Sequence, residues 1–401
     1  MITDSQGRVL WVVAALALLP GGCRLSSETG PTTGDELPSL TAVSADRITG
    51  EAFGGFGTVR AVVPLSGDRI AVADGNDRVV RILARDGTLL QRFGRRGQGP
   101  GEFEQLSDLW SSSNDILVAR DGRLLRLQMG HPTTGFTTAW SSTAVGDTAP
   151  YTSPVGITRD GIVVLQSLMP TRPSDPPIVE RSAQRLLLSR AGRTLSVITG
   201  LHGAEVYRGR GYALGQIAFS RITLYSVTDD EIYALDSAGD TVVVYGVDGT
   251  QRRRFSVHLP RRPVRQEDRD ADRDRRRKLA QQFVGVGLPE AFVQGRLDAV
   301  DEIPSADSMP TASALHVDEA GRLWIRRFRP VAEEEAEGQL WIVFEGDGTL
   351  IGRFRLPGTL SASRPSRGVV WTWGQDSIGV PFVQPWRVEE IGRAAGRGGP
   401  R

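Results

Sequence analysis

The sequence predicts an all-β fold, a six-bladed β-propeller of four-stranded antiparallel blades with one helical insertion. Three observations predict it. Short aliphatic runs separated by Asp-Gly turns recur along the chain. One such unit is repeated, since residues 231–255 lie over residues 69–93 without a gap. The string D-G-T-x-x-x-R-F occurs three times, beginning at Asp86, Asp248 and Asp347. Runs this short read as hairpin strands, because Gly accepts positive φ without steric cost and Asp hydrogen-bonds the backbone just beyond it. A four-stranded meander repeated about an axis closes into a ring that leaves no long sheet edge exposed.

The elements follow in order. Val9 to Leu19 is an apolar run of signal-peptide length, too short to span a bilayer, with Arg8 before it and Leu19-Pro20-Gly21-Gly22-Cys23 after it. Residues 1–22 are therefore expected to be an export signal. Residues 23–40 are rich in Ser, Thr, Gly and Pro and poor in apolar side chains, the composition of a flexible tether. The propeller is expected over 41–394, with Thr41 to Ile48 as a lone first strand.

The first full unit has strands near 58–65, 69–74, 78–84 and 88–93. The second has Ile116 to Ala119, Arg123 to Leu127 and Phe136 to Trp140 after a start near Leu106. The third, more divergent, has Val155 to Thr158, Ile162 to Gln166, Arg185 to Ser189 and Thr194 to Ile198. The fourth covers Ile222 to Val257. The fifth has Ser313 to Val317, Arg322 to Phe328, Gln339 to Phe344 and Thr349 to Leu356. The sixth has Val369 to Trp373, Ile378 to Val383 and Trp386 to Ile391, and stops one strand short. Thr41 to Ile48 supplies the missing strand, a complement that an open solenoid would not need. Six units fit the length at about 40–50 residues per blade.

Arg265 to Phe283 is charged and then amphipathic. Asp272 and Arg276, and Asp274 and Lys278, have helical i,i+4 spacing, with acids early and bases late. It reads as a solvated surface helix in an insertion over about 261–300.

Composition excludes several chemistries. With 401 residues and 39% hydrophobic content the chain can bury a large core, and 47 Gly suit a turn-rich β protein. A formal net charge of +1 gives no whole-protein field toward nucleic acid. Lys278 is the only lysine and Leu279 follows it, so a G-x-x-x-x-G-K-S/T phosphate loop is ruled out. Cys23 is the only cysteine, which excludes a disulfide framework and a Cys-based zinc site. His131, His202, His258 and His316 fall into no ligand spacing, and no G-x-S-x-G elbow occurs. Glu333, Glu334, Glu335 and Glu337 read as a solvated acidic loop, with calcium the only cation such a cluster would suggest. Trp324, Trp341, Trp371 and Trp373 sit in strands and read as packing between blades. No catalytic residue is assigned.

Two resemblances add to this reading. Leu19 to Cys23 resembles the signal of bacterial lipoproteins, in which small residues precede a diacylated cysteine; Pro20 stands where that pattern has leucine. It implies lipidation at Cys23. Phe93-Gly94-Arg95-Arg96-Gly97-Gln98-Gly99-Pro100-Gly101-Glu102-Phe103, with Val72 to Val79 before it, resembles the NHL-repeat propellers and more closely the bacterial six-bladed propeller lipoproteins. Asp74, Asn76, Arg78, Gly99, Pro100, Gly101 and Phe103 match that pattern. Asp236 matches in the fourth unit, where Ala238 and Asp240 replace the asparagine and arginine. Asp74, Asn76 and Arg78 are the candidate ligand-binding set, able to hold an anion or metal at the axis or to cap strand ends.

The expected function is a non-catalytic module that binds a small molecule or an envelope protein. It would sit in the periplasm or cell envelope, anchored to the membrane only through Cys23, as a monomer without cofactor or nucleic-acid partner. The alternative is a metal-dependent hydrolase or lyase using the axial channel, as in some related propellers. That chemistry needs inward carboxylates and amides from several blades, and the sequence shows a candidate set in one. The loops between the second and third strands and the links between blades carry most of the added length. They share one face, which is the expected working face.

Overall fold

The computed structural model describes residues 38–141, 151–168, 174–209, 214–284 and 290–389. The expected export signal, Cys23, the tether as far as residue 37 and residues 390–394 lie outside the described residues. From Pro38 onward the chain builds six antiparallel sheets arranged as the six blades of a propeller.

β1 (Ala42–Ser44) comes first. Blade 1 follows as β2 (Val59–Leu65), β3 (Arg69–Asp74), β4 (Val79–Ala84) and β5 (Leu89–Phe93). Blade 2 is β6 (Leu106–Ser111), β7 (Leu117–Asp121), β8 (Arg126–His131) and β9 (Gly135–Ser141). Blade 3 is β10 (Tyr151–Ile157), β11 (Val163–Leu168), β12 (Ile178–Arg190) and β13 (Arg193–Arg208), with β14 (Leu214–Gln216) as a fifth strand. Blade 4 is β15 (Thr223–Val227), β16 (Glu231–Asp236), β17 (Thr241–Gly246) and β18 (Gln251–Ser256). Helices α1 (Gln266–Gln281) and α2 (Glu290–Glu302) precede blade 5. That blade is β19 (Ala312–Val317), β20 (Leu323–Arg327), β21 (Gln339–Phe344) and β22 (Leu350–Leu356), with α3 (Val331–Glu337) between β20 and β21. Blade 6 is β23 (Ser361–Ala362), β24 (Val369–Gln375) and β25 (Pro381–Val388), completed by β1. Within each blade the strands are lettered a to d from the axis outward.

Each blade is buried on both sheet faces, which explains the unbroken apolar runs. Successive residues of a strand point to opposite faces. Ala71, Ala73, Val80 and Ile82 therefore pack on Leu106, Leu109 and Leu117 of blade 2. Their neighbours Ile70, Val72 and Leu83 pack on Val369, Trp371 and Val383 of blade 6. The repeated Asp-Gly-Thr string forms the c–d turn of blades 1, 4 and 5. Gly87, Gly249 and Gly348 take φ of 90°, 83° and 94°, and each preceding aspartate accepts the threonine N–H at 2.8–3.0 Å.

The ring closes through the beginning of the chain. Ala42, Val43 and Ser44 pair with Val388, Arg387 and Trp386, and Ile48 exchanges backbone hydrogen bonds with Val383 at 2.8 and 3.0 Å. The expected tether ends before residue 40. Pro38 and Leu40 hydrogen-bond to Arg353 of blade 5, and Leu40 is buried beside Trp341, Phe354 and Val370.

Other expectations are corrected. The two strands expected at 378–383 and 386–391 are one, β25, because its central Pro385 keeps its place by accepting the Ala45 N–H. Ile378 lies instead in a turn organised by Asp376, whose carboxylate accepts the Ile378 and Val380 N–H groups. Blade 6 also gains a two-residue inner strand, β23, with no apolar run to mark it. Much of the length expected as loop between the second and third strands of the third unit and after its last strand is strand, since β12 and β13 run on beyond the blade as a long hairpin. Ion pairs of Arg181 with Glu205 and Arg208 with Glu180 hold that extension, and charged pairs leave no apolar alternation to read.

The expected acidic loop is helix α3, with three of its four glutamates on arginines. Glu333 bridges Arg262 at 2.6 Å, Glu334 bridges Arg326 at 2.5 Å, and Glu337 bridges Arg329 at 2.6 Å. In α1 the Asp272–Arg276 pair forms at 2.5 Å, while Asp274 pairs with Arg277 at 3.4 Å rather than with Lys278. α1 is not wholly solvated: Asp268 is buried and bonded to Arg262 at 2.9 Å.

The two rims differ. The α1–α2 insertion, α3 and the β12–β13 extension all belong to the b–c and d–a connections, which an antiparallel meander places on one face. The short a–b turns on the other face are tied blade to blade. Asp115 accepts the Ser66 N–H at 2.7 Å and pairs with Arg69 at 2.8 Å, Arg159 pairs with Asp229, and Arg367 pairs with Asp68 at 3.4 Å.

Candidate ligand site on the propeller axis

All six inner strands border one axial cavity of about 230 Å³. Four of them carry a register shift, β2, β6 and β19 near their first residues and β10 between Pro154 and Gly156. A bulge turns the following side chains relative to the sheet, so polar residues can face the axis while their neighbours stay in the core. Polar and ionisable residues from different blades line the cavity: Asp108 from blade 2, Tyr225 from blade 4, His316 from blade 5 and Arg364 from blade 6. Trp110 and Trp373 share the wall with Val63, Val155 and other aliphatic residues.

Asp108 accepts the N–H of Leu109 at 3.2 Å. Burial pushes its carboxyl up to about 6, against the opposing pull of that amide and of Arg120. The His316 ring stacks on Trp341 with centroids 5.8 Å apart, and among the described residues nothing hydrogen-bonds its ring nitrogens. Part of the residue stays open to the cavity, yet its depth in the protein lowers it to about 4, with Arg364 adding to the effect. The imidazole is neutral at neutral pH. The Tyr225 hydroxyl donates to Gln184 Oε1 at 3.0 Å, and burial raises its pKa. Arg364 donates to the Val227 carbonyl at 3.4 Å, so it reaches past blade 5 to blade 4 at the a–b end of the cavity. The cavity lining thus combines one fixed cation, a carboxyl that changes charge near pH 6 and a neutral imidazole, while the Tyr225 hydroxyl is turned to blade 3. Among the described residues no three His, Cys, Asp or Glu side chains converge as a metal-ligand set.

Serines along the inner strands serve the ring rather than the cavity. Ser111 Oγ donates to the Pro64 carbonyl at 2.9 Å, and Ser226 Oγ accepts the Val317 N–H at 2.9 Å. Gly156 has a similar purpose, because a Cβ there would stand 2.5 Å from Val227 of the next blade.

Asp74, Asn76 and Arg78 lie together in the b–c turn of blade 1, and none borders the axial cavity. Asp74 is fully buried. It accepts the N–H groups of Gly57, Thr58, Asn76 and Asp77 at 2.8–3.3 Å and pairs with Arg81 at 2.6 Å. Burial alone would raise its pKa, but the Gly57, Thr58 and Asp77 amides and the Arg81 guanidinium outweigh it and hold the carboxyl below its usual range. Asn76 packs over Gly57, where a Cβ would be 2.7 Å away, and Arg78 Nε donates to the Glu104 carbonyl at 2.9 Å. Asp121 repeats the Asp74 pattern in blade 2, accepting from Glu104, Gln105, Arg123 and Leu124. In blade 4 the work is divided: Asp236 accepts the Ala238 N–H and Ser237 Oγ accepts the Ile222 N–H. The repeated aspartate is a clasp joining the start of strand a to the b–c turn.

Asp108, Tyr225 and Arg364 carry no motif in the sequence, and His316 stands out there only as one of four histidines. Superposing the inner strands of the six units is the only sequence operation that would have brought them together.

No family model matches the chain, and no curated protein matches it. Solved structures overlap it loosely. A Bacteroides fragilis protein is 9% identical over 90% of this chain and 98% of its own, with a TM-score of 0.42. A streptogramin B lyase is 9% identical over 87% and 98%, with a TM-score of 0.41. A gluconolactonase from Xanthomonas campestris is 14% identical over 88% and 98%, with a TM-score of 0.39. Overlaps this loose assign no activity; the propeller rests on the chain's own sheets.

Proposed function

We propose that this protein is an exported, non-catalytic propeller that binds a small amphipathic anion in its axial cavity. One observation carries the reading: six inner strands converge on a single cavity whose lining includes Arg364, Trp110 and Trp373. Small-molecule sites are concave and largely apolar, with a few polar groups that fix orientation. A carboxylate on the ligand would pair with the Arg364 guanidinium, and its ring or hydrocarbon part would lie on the tryptophans. Asp108, when protonated, supplies a further polar contact. Thermal unfolding in the presence of aromatic and aliphatic monocarboxylates tests this. At least one class should raise the melting temperature of the parent and not of Arg364→Gln; equal shifts in both proteins would refute the assignment.

Export and anchoring through Cys23 rest on the N-terminal sequence. Cys23→Ser should move the protein from membranes into the soluble envelope fraction, since stable anchoring takes more than one acyl chain. A mutant that still sediments with membranes would end that part of the proposal.

The catalytic alternative, a hydrolase or lyase acting in the same channel, is favoured by one observation. Asp108 and His316 share the cavity, with the carboxyl raised and the imidazole lowered. Metal analysis of the purified protein separates the readings, because a stoichiometric, tightly held divalent ion would favour the enzyme.

A further inference from the structure

A second cavity, of about 250 Å³, opens at the seam where blade 6 meets blade 1. Four arginines line it, Arg69 and Arg85 from blade 1 and Arg367 and Arg387 from blade 6, against a single lining carboxylate, Asp68. Arg69 is paired with Asp115 at 2.8 Å, and Arg367 with Asp68 at 3.4 Å. Glu319 of blade 5 reaches the same rim, accepting from Ser366 Oγ and from the Arg367 N–H at 3.1 Å. Among the described residues the side chains of Arg85 and Arg387 have no partner, so the cavity still holds an excess of positive charge.

The backbone adds an independent sign. Ser366 and Val369 exchange hydrogen bonds at 2.9 Å around a two-residue turn, with Arg367 at φ 50° and Gly368 at φ 74°. Two positive φ values in such a loop define a turn that prefers Asn, Asp or Gly at its first central position. Arginine there runs against local preference, and the residue lines the cavity with the other three.

We propose that this seam cavity binds a phosphate-type oxyanion, a phosphomonoester or phosphodiester group held between blades 1 and 6 by Arg85, Arg367 and Arg387. Guanidinium forks match the geometry of phosphate oxygens, and guanidinium groups gathered in one concavity repel until an anion joins them. The cavity exceeds a bare ion, and its lining includes the apolar Pro64, Val369 and Trp371, which suit the organic part of an ester. The site and the ligand differ from those of the axial cavity, so the inference does not depend on that assignment. An anion bound here bridges the two blades that β1 fastens together, and it should therefore stabilise the closed ring.

The test compares inorganic phosphate, glycerol phosphate and sodium chloride at matched ionic strength, using thermal unfolding and calorimetry of the whole purified chain. Vesicles of phosphatidylglycerol, with phosphatidylcholine as control, form a second arm. At about 100 times Kd, phosphate or its ester should raise the melting temperature by about 3–5 °C over chloride. Arg85→Gln/Arg387→Gln should weaken binding at least about ten-fold by losing charge-assisted bonds, with unfolding in chloride unchanged. Arg364→Gln should respond like the parent. A shift with the free anions, lost in the double variant, identifies a soluble phosphoester. Binding to phosphatidylglycerol vesicles alone, lost in the same variant, identifies a lipid headgroup. No response to any probe, or an equal response in parent and double variant, overturns the proposal.

Discussion

Asp74 and Asp108 are carboxyls of the first two blades, and their surroundings push them in opposite directions. Asp74 has four backbone donors and Arg81, so its carboxylate is the favoured form. A group depressed in this way contributes stability above its unfolded pKa, and the contribution is lost as pH falls through its folded value. Asp74→Ala would take from buried Arg81 one of its two carboxylate partners, leaving Asp77, and strand the Gly57 and Thr58 amides. Removing one member of a buried pair costs about 3–5 kcal/mol. Urea unfolding near neutral pH should show a loss of that order; a change below about 1 kcal/mol, the value of an exposed pair, would contradict the clasp.

Asp108 has one weak donor and is raised to about 6. Below about pH 6 its protonated form is the stable one in the folded chain. That contribution is complete below the unfolded value near 4 and disappears as pH rises to 6. Asp108→Asn should match the parent at pH 4 and exceed it at pH 8 by on the order of 1 kcal/mol. Parallel stability profiles of the two proteins from pH 4 to 8 would show that the carboxyl is solvated after all.

Among the elements, β1 has an effect out of proportion to its three residues. It closes blade 6, and the chain just before it is tied to blade 5. A truncation that ends at Gly34 should unfold like the full protein, whereas one that extends to Thr49 exposes the edge of β25 and should lower the melting temperature sharply or cause aggregation. Identical melting temperatures would rule out this closure. Strands b and c were legible because burial on both faces demands continuous apolar runs, as in Ile70 to Ala73 and Val79 to Leu83. β23 and the β12–β13 extension were not. The first is two residues long, and the second is held by charged pairs and ladder hydrogen bonds rather than by an apolar face.

At the scale of the whole molecule, the sequence by itself determined the repeat, the hairpins, the number of blades and the need for an N-terminal complement. Those features are local or repeat at fixed spacing: Asp-Gly supplies a turn wherever it falls, and an aliphatic run of fixed length is a strand in any blade. Even the aspartate at the end of strand b was legible as a motif, although only the structure shows in Asp74 and Asp121 that the motif fastens backbone. Tertiary structure alone decided which side chains share the axis and the seam. Asp108, Tyr225, His316 and Arg364 stand on four blades, and they meet only because six blades of this width close a ring. Arg85 and Arg387 meet only because the last blade returns to the first. Neither meeting leaves a trace in local pattern, since it depends on bulges, blade number and closure, which act between residues distant along the chain.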